Sequence, residues 1–187
     1  DLIKDVERKL GPVSLLVNNA AVFNFDSPDS TSIDQMKFHL SNNLIAPIML
    51  TKALYQLRKT TKSNLTTSAV INLLDQKLWN TNPDFFSYTL SKSALNEATV
   101  LMAKSFAPYL RVLGIAPGIT LPVKNQNEGD FKDAHSKTPL KKSSTPIDIA
   151  DAVVWLSKAK AITGTTLIVD GGQHLLPSER DVVFMKS

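Results

Sequence analysis

Four short apolar runs, at residues 13–17, 69–74, 110–115 and 165–169, punctuate the chain, and helical patterns lie between them. Runs this short and this unbroken are how strands covered on both faces read. No strand hairpin signal joins any two of them, so the alternation predicts a doubly wound α/β fold around a parallel sheet. Helical patterns cover 1–10, where Leu2, Ile3, Val6 and Leu10 share a face before Gly11-Pro12 stops it, and 85–107, closed by Pro108. Another runs over 33–59, interrupted by the polar residues 41–43 and expected to bend at Pro47, and a last one is opened by Thr145-Pro146 and runs to 158. The strands end in Asn18-Asn19-Ala20, Asp75, Pro117-Gly118 and Asp170-Gly171-Gly172. In sheets of this kind ligands sit beyond the carboxyl ends of the strands, so chemistry is sought at these ends. The polar stretch 120–145 is too long for an ordinary connection and is expected to be a lid.

The 187 residues fit one domain, and 43% hydrophobic with 20% charged residues excludes a disordered tail or a fibre. Without cysteine there is no disulfide scaffold, thiol nucleophile or thiolate zinc site. His39, His135 and His174 show no ligand spacing, so no metal is expected. The net charge of +4 is a mild excess spread among acids, and aromatics do not interleave with the basic clusters. This suits a small-molecule substrate, with no nucleic-acid and no membrane partner. The longest apolar stretch, 44–50, is broken by Pro47 and is too short to span a bilayer, and the opening residues read as a charged amphipathic helix rather than a leader. A cytoplasmic location is expected.

Tyr88 and Lys92 stand one helical turn apart and project from one face. A phenol titrates near pH ~10, and a neighbouring ammonium is expected to pull it down toward the range of useful proton transfer. Tyr55 and Lys59 have the same spacing, so the pair alone says little. Only Tyr88 is approached by a strand ending in a carboxylate, then a loop, then a helix.

Asn18-Asn19-Ala20 after a strand, Asn43 in a helix, Tyr88-x-x-x-Lys92, Pro117-Gly118 after the next strand and Gly164 with Asp170-Gly171-Gly172 occur in an order that resembles the short-chain dehydrogenase/reductase family, over residues 1–176. The resemblance implies a Rossmann-like fold and a catalytic set in which Tyr88 donates a proton, Lys92 lowers its pKa and holds the nicotinamide ribose, and Asn43 keeps a helix distortion and a relay water. It also implies that Asn18, Ala20, Lys92, Pro117, Gly118 and Thr120 contact the cofactor. Where the family usually has serine, this chain has Asp75, which resembles the pteridine reductases within the family. Phe23 matches the aromatic residue that stacks on the pterin there. An aromatic face suits a flat heterocycle, and a carboxylate can pair with or protonate its ring nitrogens better than a hydroxyl. Each has a plainer alternative: Phe23 as cover for the core edge, Asp75 as a cap, Asn43 as a backbone-bonding asparagine, Pro117-Gly118 as a turn, Thr120 as a cap for the lid.

The family's glycine-rich pyrophosphate turn does not occur in this sequence. The chain is therefore expected to be the C-terminal two-thirds of a single reductase domain, incomplete at its N-terminus, with 13–17 left at a sheet edge. The expected activity is an NADPH-dependent reduction of dihydropterin- or dihydrofolate-like substrates, NADP(H) being inferred from the resemblance and NAD(H) not excluded. The rivals are a short-chain carbonyl reductase and a non-catalytic module descended from a reductase. The resemblance also implies a homo-oligomer, a dimer or a homotetramer, built on the helices 33–59 and 85–107. Leu95, Val100 and Met102 serve that interface or the core, and the tail 175–187 is expected to reach a neighbouring subunit. The clusters Arg58-Lys59-Lys62 and Lys137-Lys141-Lys142 read as solvated faces.

Overall fold

The computed structural model describes residues 2–61, 68–122 and 128–184. Strands β1 (Leu15–Asn18), β2 (Ala69–Leu73), β3 (Arg111–Pro117) and β4 (Thr166–Val169) form one parallel sheet in the order β1-β2-β3-β4. The helices are α1 (Leu2–Leu10), α2 (Ile33–Leu40), α3 (Ala46–Thr61), α4 (Phe86–Phe106), α5 (Glu128–Ser136) and α6 (Pro146–Lys158). Alternation along β2 and β3 sends Val70 and Val112 toward Leu54 of α3 and Met102 of α4, while Ile71, Leu113 and Ile115 meet Leu156 of α6. Helices thus cover both faces of the sheet, the doubly wound arrangement read from the apolar runs. Each fully buried side chain of this kind contributes roughly 1.5–3 kcal/mol. Among the described residues β1 pairs only with β2, and its other edge is open.

Local chemistry fixes where α6 begins and ends. Thr145 and Asp148 close a capping box around Pro146, and at the other end the Arg111 guanidinium donates to the carbonyls of Leu156, Ser157, Ala159 and Ile162. Because Arg111 opens β3, it ties that strand to the helix packed over it. Among the described residues no helix is long and apolar enough to cross a membrane.

Several expectations need correction. The interruption at 41–43 in the 33–59 helical pattern is a π turn over Ser41–Ile45, directly before α3 and its Pro47. Arg58 is not on a solvated face: it is buried and donates to Glu7 of α1, a partner far upstream that spacing does not reveal. Lys62 lies outside the described residues, whereas Lys137, Lys141 and Lys142 are exposed as expected. Leu95 and Met102 belong to the chain's own core, which removes them from any subunit interface. Within the segment 120–145, the helix α5 covers Glu128–Ser136. Tyr55 stacks on Phe106 with ring centroids 4.1 Å apart, which explains its position through packing.

The described part of the tail makes contacts with its own chain. Asp181 accepts from Lys77 Nζ at 2.8 Å, and Arg180 Nε donates to Asp84 Oδ2 at 2.8 Å. Phe184 adds an edge contact to Phe25 and stacks on Phe85.

Candidate active site

The carboxyl ends of the strands open into a cleft of about 690 Å³, within the usual range for a small-molecule site. Asp75, Tyr88 and Lys92 line it together with Pro117, Gly118 and Thr120, and so does Phe23. Asp130 and Asp133 of α5 and Lys137 just after it also line the cleft, as do Arg180 and Asp181 from the tail.

Asp75 follows β2 in extended conformation and caps the short 3₁₀ turn Gln76–Trp79. One carboxylate oxygen accepts from Lys77 N at 2.8 Å and the other from the Tyr88 hydroxyl at 2.8 Å. Tyr88 sits in the first turn of α4, and Lys92, one turn on, donates from Nζ to Leu73 O at 2.6 Å. The three groups therefore converge on one pocket.

Their electrostatics differ from the expectation that Lys92 depresses the Tyr88 pKa. Burial, followed by the charge of Asp75 and the hydrogen bond to it, holds the phenol well above its ordinary value. The Lys92 ammonium lies 5.8 Å from the Tyr88 ring centroid with Nζ bonded to a carbonyl, and burial brings its pKa down to about 8 against the pull of Asp75. Asp75 itself is raised: burial dominates, and Asp181 adds like charge, over the opposing hydrogen bonds and Lys92.

Asn43 stands inside the π turn, fully buried. Its side chain accepts from Val22 N at 2.8 Å and donates to Val22 O at 2.9 Å and to Ser91 Oγ at 3.1 Å. Ser91 in turn donates to Tyr88 O. The widened turn thus clamps the segment leading to Phe23 against the helix that carries Tyr88. Asp26 strengthens the same junction by accepting from Ser87 N and Oγ. Phe23 is 39% exposed, stacks on Phe85 with centroids 4.0 Å apart, makes a T-shaped contact with Tyr88 and lines the cleft.

The remaining expected cofactor contacts divide. Thr120 lines the cleft and bonds Gly118 O and Ser144 Oγ. Gly118 is required sterically, since a Cβ there would meet Ser143 Oγ at 2.5 Å and Asp170 at 2.8 Å. Asn18 does not line the cleft: its amide donates to Asn72 Oδ1 at 2.8 Å across the β1–β2 register, and Asn72 continues to Thr99. Ala20 does not line it either; Asn19 and Ala21 do. Sequence reading also passed over Gln76 and Lys77, which the strand-end rule could have flagged beside Asp75, and Asp181, whose place depends on long-range folding that no local pattern signals.

A family model described as enoyl-(acyl carrier protein) reductase matches residues 1–174. The FolM alternative dihydrofolate reductase 1 of Brucella canis, solved in complex with NADP, shares 37% identity, covers 95% of this chain and 69% of that one, and superposes with a TM-score of 0.87. Pteridine reductase 1 of Leishmania tarentolae is 30% identical over 186 residues, covering 88% of this chain and 64% of its own. The human 3-oxoacyl-acyl-carrier-protein reductase is 29% identical over 178 residues, covering 92% and 71%. The chain thus spans between 64% and 71% of the length of these relatives.

Proposed function

Because the chain belongs to the short-chain dehydrogenase/reductase family, we propose that the complete protein is an NADPH-dependent reductase of dihydropterin- or dihydrofolate-like substrates, with Asp75, Tyr88 and Lys92 at its reacting centre. The observation that carries the reading is the 2.8 Å bond between Tyr88 Oη and Asp75, an acid pair in a cleft that also presents the Phe23 ring. The choice of NADPH rests on the Brucella relatives, whose structures contain NADP.

The cleft fits the nicotinamide end of such a cofactor. Lys92 keeps N–H groups beyond the one used on Leu73 O, and Gly118 brings bare backbone to the end of β3. Lys92, Pro117, Gly118 and Thr120 hold that end, while Asn18 acts through the sheet rather than by contact. When bound, the cofactor supplies hydride to a ring carbon. The chain's own residues supply the proton and the orientation. Burial keeps the Tyr88 phenol protonated at neutral pH, the form a general acid needs, and Tyr88 delivers that proton to the adjacent ring nitrogen. Asp75 takes hold of the N–H formed, and its raised pKa lets it share a proton with the ring. Phe23 stacks on the flat substrate, and Asn43 fixes the distance between Phe23 and Tyr88 through Val22 and Ser91. We also propose that 120–145 acts as a lid through α5, and that the complete protein assembles as a homo-oligomer, with Leu90 and Leu101 as the exposed apolar residues of α4.

The test is NADPH oxidation by the complete protein with dihydrobiopterin, dihydromonapterin or dihydrofolate. Turnover with one of them is expected, and none with any would overturn the reading. A second reading, reduction of a 3-oxoacyl thioester or another ketone, is favoured by the human relative. In that case Asp75→Ser preserves or raises activity and Phe23→Ala matters little.

A further inference from the structure

Among the described residues the carboxylates that line the cleft are those of Asp75, Asp130, Asp133 and Asp181. Two of them, Asp75 and Asp181, meet on one residue. Lys77, in the 3₁₀ turn capped by Asp75, donates its backbone N–H to Asp75 Oδ1 at 2.8 Å. Its ammonium donates to Asn82 and, at 2.8 Å, to Asp181 Oδ2. The Lys77 side chain is only 4% exposed and that of Asp181 13%, so little solvent screens the charges. Nothing local dictates this meeting, since the two residues lie 104 positions apart. The tail brings Asp181 there, with the Asp181 amide and the Arg180 guanidinium both held by Asp84 Oδ2.

A second negative charge near an acid makes its ionisation more costly, and so holds its proton. The groups that act on Asp75 divide on this point. The Lys77 amide, the Tyr88 hydroxyl and the Lys92 ammonium favour the ionised carboxylate, whereas burial and Asp181 favour the protonated form. Asp181 acts in the same direction on the Tyr88 phenol. Reduction of a ring C=N needs one proton on nitrogen for each hydride on carbon, so a charge that retains protons at this pair serves the reaction.

We propose that Asp181 is a positioning residue of the reacting centre: a carboxylate carried in by the tail and seated on the Lys77 ammonium, whose charge keeps a proton within the Asp75–Tyr88 pair. The inference rests on the proposed function and deepens it, because it makes the tail part of the chemistry as well as a wall of the cleft. Asp181 transfers nothing itself; its effect passes through Asp75.

The experiment compares wild type, Asp181→Asn, Asp181→Glu and Glu179→Gln in the complete protein. The asparagine keeps an oxygen for Lys77 and removes the charge, and Glu179 is an exposed acid of the same tail outside the cleft lining. One reading is the pH titration of the Asp75 carboxyl by carbon NMR of aspartate-labelled protein, assigned by its absence in Asp75→Asn. The other is NADPH oxidation with dihydrobiopterin from acid to alkaline pH. Asp181→Asn is expected to titrate Asp75 at lower pH and to lower kcat about 10-fold at neutral pH, a loss that shrinks as the pH falls and Asp75 regains its proton. Backbone exchange over 178–184 stays within a few-fold of wild type, because Asp84 still holds the tail. Asp181→Glu returns titration and kcat to near wild type, and Glu179→Gln changes neither. An Asp75 titration that stays in place or moves up, a kcat loss equal at every pH, faster exchange of the tail in Asp181→Asn, failure of Asp181→Glu to restore kcat, or the same shift in Glu179→Gln overturns this inference alone. Absence of wild-type turnover with every dihydropterin and dihydrofolate overturns the functional reading and the inference that rests on it.

Discussion

The Tyr88 phenol has one proton, and in this structure it is aimed at Asp75. Replacing Tyr88 by Phe removes the proposed donor and is expected to lower kcat by about 10²- to 10⁴-fold in an NADPH-oxidation assay, with Tyr55→Phe within a few-fold of wild type. Equal losses would mean that the spacing shared by the two Tyr–Lys pairs misled the assignment. Lys92 supplies a separate test. Its folded pKa, about 8, lies below the free value of 10.5, so the unfolded chain binds more protons between those limits and stability rises with pH across that window. The slope reaches at most about 1.4 kcal/mol per pH unit. Above the ordinary phenol value Tyr88 acts oppositely, because the folded state retains a proton that the unfolded state loses. Urea unfolding between pH 8 and 10 therefore shows rising stability for wild type and a flatter profile for Lys92→Met. The positions of these groups were legible from a strand end and a helical turn. Their titration was not, since spacing carries the identity of a neighbour but not its burial or the carboxylate on its other side.

At the scale of elements, the π turn couples the Phe23 segment to α4. Asn43→Ala deletes the bonds to Val22 and Ser91 from a fully buried site, and a loss of about 2–4 kcal/mol in urea unfolding is expected, with a rise in substrate KM as Phe23 shifts. The sequence displayed this element only as polar residues inside an apolar helical pattern, which locates a break without specifying its winding. Buried ion pairs were less visible still. Arg58 looked like one cation among several because Glu7 lies a strand and two helices earlier in the chain. Arg58→Met leaves Glu7 in partly buried surroundings with only the Val13 amide as a named partner, and is expected to cost about 2–4 kcal/mol, read by the same unfolding measurement. The strands, by contrast, followed their apolar runs to within a residue or two, since burial on both faces leaves few other ways to satisfy such sequences.

Across the whole molecule, the tail and the loop after β2 close one side of the cleft through Lys77–Asp181 and Arg180–Asp84. Asp84 Oδ2 also accepts from Asp181 N, so Asp84→Asn weakens the tail at two points. Hydrogen exchange of the 178–184 backbone is expected to speed up at least several-fold in that variant, and unchanged exchange would show that the aromatic contacts of Phe184 alone hold the tail. The other end of the sheet presents the reverse situation. The outer edge of β1 carries backbone donors and acceptors with no strand beside them among the described residues, and β1 has neither a proline nor a charged residue to discourage a newcomer. Such a rim is a template for growth by strand addition. A preparation consisting of these 187 residues is expected to scatter light increasingly with concentration.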